Sequence, residues 1–433
     1  MQILKKILTF ILIIESRLII AKYKPFIIAV TGTVGKTSTK DAIYTVLKDQ
    51  FGYVRKSEKS MNSEIGLPLT VIGAPNAWKN ISGWLNNIWK GFALVIFRNK
   101  YPNCLVLEVG ADHPNDIRNI AVWLKPDISI ITKVGATPVH VEFFKTIEDV
   151  FIEKSYLAKY TKKKGAVILY ADEPKVLTIA DMVKNNNVSI IKFGLDQGAD
   201  VRGSNGHVIY QEQKPRSYGF TVTIDQNNFE IITKNVLGDT YIYPCLCALS
   251  VVKSLKLDLQ KAVNALNSYE APRGRMNVIE GINDSTIIDD TYNSSPDAVI
   301  SALKTLKSVT TNGKKIAILG DMLELGKYSS EQHRMVGREV VGIVDLLITV
   351  GGRSKSTADE AISKGFNREN VMSFDRSSDL ASKIANYVGQ NDVVLIKGSQ
   401  SIRMERVSRA LLKEPQKADR LLVRQEKEWL MKE

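Results

Sequence analysis

Residues 26–39, Phe-Ile-Ile-Ala-Val-Thr-Gly-Thr-Val-Gly-Lys-Thr-Ser-Thr, hold residue types spaced for binding a phosphate chain. Gly32 and Gly35 let the backbone turn its N–H groups inward around an anion. Lys36 adds a point charge for the outer phosphates, and the Thr37 hydroxyl is spaced to hold Mg²⁺. Thr33, Val34 and Ser38 complete the cradle. The apolar run Phe26–Val30 predicts a buried parallel strand. Ala42, Ile43, Val46 and Leu47 recur at helical spacing, with Gly52 as a stop. Phosphate would then sit at a helix N-terminus, where free N–H groups and the helix dipole favour negative charge. The general phosphate loop has a glycine five residues before its Gly-Lys pair, and Val30 stands there instead. The strand–loop–helix context still favours nucleoside triphosphate binding over a bare glycine turn.

Other residues gain meaning from their distance to that loop. Residues 103–111 form a second apolar strand ending at Glu108, and a carboxylate at the carboxyl end of a parallel strand is placed to hold Mg²⁺. Asn62 and Ser63 lie in a turn-rich loop leading into apolar sequence, where a plain turn is the simpler reading. A third strand over 127–135 is followed by His140, and Lys154 falls on the helix that begins near Thr146. Taken alone, His140 reads as a structural histidine and Lys154 as a surface lysine. Further on, polar loops follow strand ends at 289–296, 320–326 and 397–399, and carboxyl-end loops are where open α/β sheets bind ligands.

The elements that must position these groups predict an α/β protein. A central P-loop ATPase domain with a parallel sheet spans 25–270, with a β-rich part from about 165 to 240. Glu270-Ala-Pro-Arg-Gly-Arg275 is a Pro/Gly hinge. Beyond it, strands at 285–288, 315–319, 346–350, 371–374 and 393–396 alternate with helices, predicting a Rossmann-like doubly wound domain over 271–415. Residues 416–433 read as a charged tail forming a solvated helix. Residues 78–97, with Trp84, Ile88, Trp89 and Phe92 at helical spacing, read as core or packing.

The chain has 433 residues, 44% hydrophobic and 24% charged, enough for a sizeable core in two or three domains. The net charge of +13 allows nucleic acid, an anionic membrane or a phosphorylated substrate. No nucleic-acid-binding signature accompanies it, and the lysines are spread as on a solvated surface. Three cysteines form no disulfide framework and no zinc-type pairs, which suits the cytoplasm. In residues 1–24 the apolar run from Ile7 to Ile14 is too short to span a bilayer, and no cleavage site follows it. It reads as an amphipathic helix packed on the protein or a partner, or lying on a membrane surface.

Taken together, the motifs resemble the Mur ligases, ATP-dependent amide-forming enzymes of peptidoglycan precursor synthesis. Within that family they are most similar to the branch that adds D-alanyl-D-alanine. Thr31-Gly-Thr-Val-Gly-Lys-Thr37 looks like the family's shortened phosphate loop, and Asn62-Ser-Glu-Ile-Gly-Leu-Pro-Leu69 like its substrate loop. Leu107-Glu-Val-Gly-Ala111 resembles its Glu-bearing strand. Gly274-Arg-Met276, Asp289-Asp-Thr-Tyr-Asn293, Gly320-Asp-Met-Leu-Glu-Leu-Gly326 with His333, and Lys397-Gly-Ser399 are similar to its C-terminal motifs. The resemblance covers residues 24–412.

It implies ATP and two Mg²⁺ ions, with Lys36, Glu108, His140 and a carbamylated Lys154 as the catalytic set. Thr37, Glu108, His140 and Lys154 would hold metal, and Arg275 and Asn293 would reach the nucleotide. Asn62, Ser63, Asp321, Lys397 and Ser399 would contact substrates, namely a UDP-N-acetylmuramoyl peptide and D-alanyl-D-alanine. Two departures stand out. The family's N-terminal domain, which grips the uridine diphosphate, is represented by the short apolar helix, and Thr132-Lys133 replaces Thr-Asn. An amide ligase acting on another acid, or a non-catalytic nucleotide-binding scaffold, are the alternative readings.

Overall fold

The computed structural model describes residues 2–58, 61–78, 80–135 and 143–431. The chain opens with helix α1 (Gln2–Tyr23), strand β1 (Phe26–Thr31) and helix α2 (Lys36–Leu47). Then come β2 (Val54–Lys56), α3 (Gly66–Ile72), α4 (Ile81–Ile96), β3 (Cys104–Glu108), α5 (Asp116–Leu124), β4 (Ile128–Ile131) and α6 (Ile147–Lys159). Strands β5 (Ala166–Tyr170), β6 (Ser189–Gly194), β7 (Val201–Gln211), β8 (Lys214–Ile224) and β9 (Asn227–Lys234) complete a sheet of order β2-β3-β1-β4-β5-β6-β7-β8-β9. It is parallel from β2 to β7 and antiparallel from β7 to β9.

The central parallel strands β1, β3, β4 and β5 are mostly apolar because helices cover both faces. Every residue of β3, β4 and β5 is buried. The pattern was expected to change near residue 165. The change comes at β7 instead, since β5 and β6 extend the parallel sheet and only β7–β9 form the meander.

After the helices Ile242–Ser254 and Leu259–Asn267, the second sheet is built from β10 (Asn277–Glu280), β11 (Thr286–Asp290), β12 (Lys315–Gly320), β13 (Leu346–Val350), β14 (Val371–Phe374) and β15 (Val393–Lys397). Its order is β10-β11-β15-β12-β13-β14, parallel except for the β10 edge. The five expected strands are present, and the sixth, β10, is a short antiparallel edge following the hinge. The α/β architecture with two such sheets is as the motifs implied.

One reading is corrected and another narrowed. The tail is not a solvated helix: Ala418, Leu422 and Val423 are buried, and Arg424 inserts beside Glu405 at 3.1 Å while donating to the carbonyl of Thr291. A charged composition concealed these few anchoring side chains. The reading of α4 as core or packing holds for one side only: Asn87, Gly91 and Leu94 are buried, but Trp89 is 62% exposed and Ile81 75%. Leu85, Trp89, Phe92 and Ile96 face outward while polar Asn87 faces inward, so helical spacing alone does not reveal which side is covered. α1 packs on α3 and α4, and among the described residues no helix is long and apolar enough to cross a membrane.

Candidate active site

β1 carries the phosphate loop to the carboxyl edge of the first sheet. Gly32 has φ +146°, and a Cβ there would lie 1.9 Å from Thr132 Oγ1, so only glycine fits. Gly35, at φ 85°, starts α2. The residues after β4 brace the loop: Thr33 N donates to Lys133 O at 2.8 Å, and Thr132 Oγ1 donates to Val34 O at 2.8 Å. The departure at Thr132-Lys133 thus supports the cradle through a hydroxyl and a backbone carbonyl. Lys133 itself reaches Asp297, at 3.3 Å, on the other side of the cleft.

Lys36 Nζ bonds the carbonyls of Gly32 and Thr33, at 2.9 and 3.3 Å. Lys154 is buried on α6, and its Nζ donates to Gly32 O at 3.2 Å. Taken alone Lys154 reads as a surface lysine, and the fold instead buries it beneath the loop. Burial pushes its amine down to about 7, helped by the Lys36 charge. Lys36 is also pushed below the usual lysine range, by burial first, with Glu108 opposing. α6 is held in place by a Thr146–Asp149 capping box. His140 lies outside the described residues.

Glu108 ends β3 opposite Val30. Its Oε2 accepts from Thr37 Oγ1 at 2.9 Å and its Oε1 from Asn62 Nδ2 at 3.3 Å. Asn62 is anchored by its carbonyl, which accepts from Gly110 N at 2.9 Å. Ser63 Oγ accepts from Gly66 N and so begins α3. A hydroxyl and a carboxylate oxygen in contact, beside a phosphate cradle, suit a hard cation such as Mg²⁺, which keeps phosphate oxygens and water as its other ligands. Among the described residues no group of three or more His, Cys, Asp or Glu side chains forms a metal cluster.

The second sheet closes the cleft. A cavity of about 240 Å³ is lined by Lys36, Thr37, Asn62 and Glu108 on one side and by Arg275, Asn293 and Lys397 on the other. Arg275 stacks on the Tyr292 ring at 4.2 Å, and its Nε is buried without a hydrogen-bond partner, which suits an incoming anion. An adjoining cavity of about 350 Å³ runs from Gly35 and Ser38 past Thr132 to Tyr170 and Phe193, room for a nucleoside beside its phosphates.

Lys397 Nζ pairs with Asp290 at 2.6 Å and bonds Asn293 O at 2.9 Å. Ser399 lines a third cavity, of about 450 Å³, with Asn293, Arg403 and Trp429. Asp321 lies apart from these cavity linings: its Oδ1 accepts from Ser354 N at 2.7 Å. Asp112, Tyr292 and Gln400 also line the cleft and were not singled out from sequence. Asp112 sits four residues past Glu108 and Tyr292 inside the 289–293 motif, so proximity to known motifs was the available clue.

Residues 30–252 match the Mur ligase middle domain, and 274–400 match the Mur ligase glutamate ligase domain. The chain belongs to the Mur ligase family. This Mur ligase is 25% identical to the UDP-N-acetylmuramoyl-tripeptide--D-alanyl-D-alanine ligase of Bacillus subtilis, over 90% of its own length and 76% of the relative's. It is 30% identical to the Mycobacterium tuberculosis ligase of the same name, covering 89% and 72%. Among solved structures it is similar to the MurF ligase of Thermotoga maritima in complex with ADP. That match has a TM-score of 0.76 and 26% identity, covering 94% of this Mur ligase and 84% of that chain.

Proposed function

We infer that this Mur ligase is an ATP-dependent ligase that joins D-alanyl-D-alanine to the peptide of a UDP-N-acetylmuramoyl acceptor, releasing ADP and phosphate in peptidoglycan precursor synthesis. The observation that carries it is the shared cleft, where Thr37, Glu108 and Asn62 face Arg275 and Lys397 beneath one phosphate loop. A reaction that consumes ATP and a nucleotide-linked acceptor belongs in the cytoplasm.

A carboxylate cannot expel oxide, so the acid must first be activated. An oxygen of the peptide carboxylate bonds to the γ-phosphorus of ATP, the β–γ bridge breaks and ADP leaves. The amine nitrogen of D-alanyl-D-alanine then attacks the acyl carbon and loses a proton, and phosphate departs with its electron pair. The protein's part is to bring two anions together and neutralise their charge. Lys36 would leave its carbonyls for the β- and γ-phosphates, and Arg275 would meet them from the facing wall. Asn293 would border the nucleotide. Asn62 and Ser63 would orient the acid, and Lys397, Ser399 and Asp321 would shape or brace the amine's side.

Thr37 and Glu108 would hold one Mg²⁺; Glu108, Lys154 and His140 would hold a second. These ions supply charge neutralisation at the transferring phosphoryl oxygens. Lys154 fits this role as a carbamate. Its neutral amine bonds to the carbon of CO₂ and releases a proton, converting a buried cation beside Lys36 into an oxygen ligand. Residues 1–24 would serve as a contact surface toward a membrane or a partner.

The test is phosphate release with purified protein and ATP. Release should require both a UDP-linked muropeptide and D-alanyl-D-alanine. Equal release with a UDP-free acid, or without the amine, would sink the assignment.

A further inference from the structure

Two helices on one side of the first sheet turn large apolar side chains to solvent. On α1, Ile7, Phe10, Ile14 and Leu18 are 51%, 64%, 39% and 48% exposed. On α4, Leu85, Trp89, Phe92 and Ile96 are 63%, 62%, 47% and 55% exposed. Steps of three and four place each set along one stripe of its helix. The opposite sides are buried, at Leu12, Ser16 and Ile19 on α1 and at Asn87, Gly91 and Leu94 on α4.

The helices are clamped as a pair. Lys22 Nζ donates to the carbonyls of Leu94, Val95 and Phe97 at 3.0, 2.9 and 2.7 Å, placing a cation on the C-terminal end of α4. Tyr23 Oη bonds Leu94 O at 3.1 Å. Gly91 lets the Glu15 carboxyl lie against α4, where a Cβ would come within 2.1 Å of Glu15 Oε2. With their inner sides buried in the same body, each helix turns its own apolar stripe outward. Isolated exposed apolar residues are ordinary, but four of them along one side of a helix mark a docking site.

The charge around it selects the occupant. Residues 1–24 and 78–100 contain nine Lys or Arg and a single carboxylate, Glu15, which is buried. Lys6 and Arg17 are exposed beside the α1 stripe, and Arg98 and Lys100 are exposed just past the end of α4. A second copy of the chain would set these cations against their own kind, whereas an anionic bilayer complements them. Trp78, 77% exposed just before α4, and Trp89 are side chains suited to the headgroup level. We propose that the α1–α4 face docks this protein on an anionic lipid surface. Its apolar stripes enter the boundary between headgroups and acyl chains, and its lysines and arginines lie among the lipid phosphates.

The experiment is co-sedimentation of the full chain with phosphatidylcholine vesicles, with and without about one third phosphatidylglycerol. The expected result is binding to the anionic vesicles, about tenfold or more weaker on pure phosphatidylcholine and weakened again by high salt. Trp fluorescence should shift to the blue on binding and be quenched by lipids brominated in the acyl chain. The double substitution Phe10→Glu with Trp89→Glu changes only exposed side chains. It should cut vesicle binding by about tenfold or more while the thermal midpoint stays near that of the parent chain. Ile232→Glu, on exposed β9, should bind as the parent does. Unchanged vesicle binding by the double variant overturns the proposal. So does an absence of vesicle binding, whether the chain is then a monomer or a dimer that the double variant dissolves.

Discussion

On the first-sheet side of the cleft, Lys36 is half-buried and Lys154 is buried, and both give their hydrogen bonds to main-chain carbonyls of the phosphate loop. On the second-sheet side, Lys397 is buried as deeply as Lys154 but sits 2.6 Å from Asp290. Among the described residues, neither Lys36 nor Lys154 has an ion-pair partner. A buried charge without its counter-ion is costly, and such sites persist where a ligand completes them. A paired buried charge already has its partner and acts as part of the framework. The difference separates groups held ready for chemistry from groups that hold a wall in shape.

The largest expected effect is at Lys36. Lys36→Ala should reduce substrate-dependent phosphate release by about 10²–10³-fold, the scale for removing a group that stabilises transferring charge. Its thermal midpoint should stay near that of the parent chain, because Lys36 is half-buried and has no ion pair to lose among the described residues. A marked fall in midpoint would show that the first wall, too, uses its lysine as framework. Next is Lys154. Lys154→Arg should lose activity by about 10–100-fold with nucleotide binding largely kept, since a guanidinium keeps the positive charge and forms no carbamate. Short-chain carboxylic acids should partly restore a Lys154→Ala variant. Full activity of the arginine variant would remove the carbamate from the mechanism.

Local chemistry explains why one wall was more legible than the other. The phosphate loop could be read because strand, glycine turn, lysine and helix start are contiguous in sequence. Glu108 could be read because it ends an apolar strand. Its bond to Asn62, 46 residues away, and the insertion of Lys154 under Gly32 are products of tertiary packing. Only a family resemblance pointed to them. On the second wall, the motif 289–293 drew attention to its ends, yet Asp289 and Asp290 have opposite environments, which neighbouring identical residues cannot reveal. The tail and the outer side of α4 were not legible for one shared reason: composition and spacing report how charged or apolar a segment is, but not which side meets the body.

The second wall should fail differently. Lys397→Met leaves Asp290 buried without its cation and should cost about 3–5 kcal/mol, the scale for breaking one half of a buried pair. Denaturant unfolding followed by circular dichroism would measure this as a lowered midpoint of the transition that includes the second sheet. The double variant Lys397→Met with Asp290→Leu should recover much of the loss. If the single variant is as stable as the parent but inactive, Lys397 belongs with Lys36 as a group reserved for substrate.

Asp289 offers the finest test, because it adjoins the paired Asp290 yet lacks a cation. It is fully buried, its Oδ1 accepts from Thr291 and Ser408 hydroxyls at 3.0 and 2.6 Å, and its Oδ2 has no hydrogen-bond partner. Burial raises its carboxyl from 3.8 to about 7, against the opposing pull of the two hydroxyls. A carboxyl raised in the folded state contributes stability that is full below the unfolded value and is lost as pH climbs through the folded one. The parent chain should therefore lose stability at this position between about pH 4 and pH 7. Asp289→Asn keeps a carbonyl oxygen for the two hydroxyls and does not titrate. Its thermal midpoint, relative to the parent, should rise by a few degrees from pH 5 to pH 8. A difference that stays flat or falls with pH would mean that Asp289 is ionised when folded, and the second wall would then hold a buried charge without a cation, as the first does.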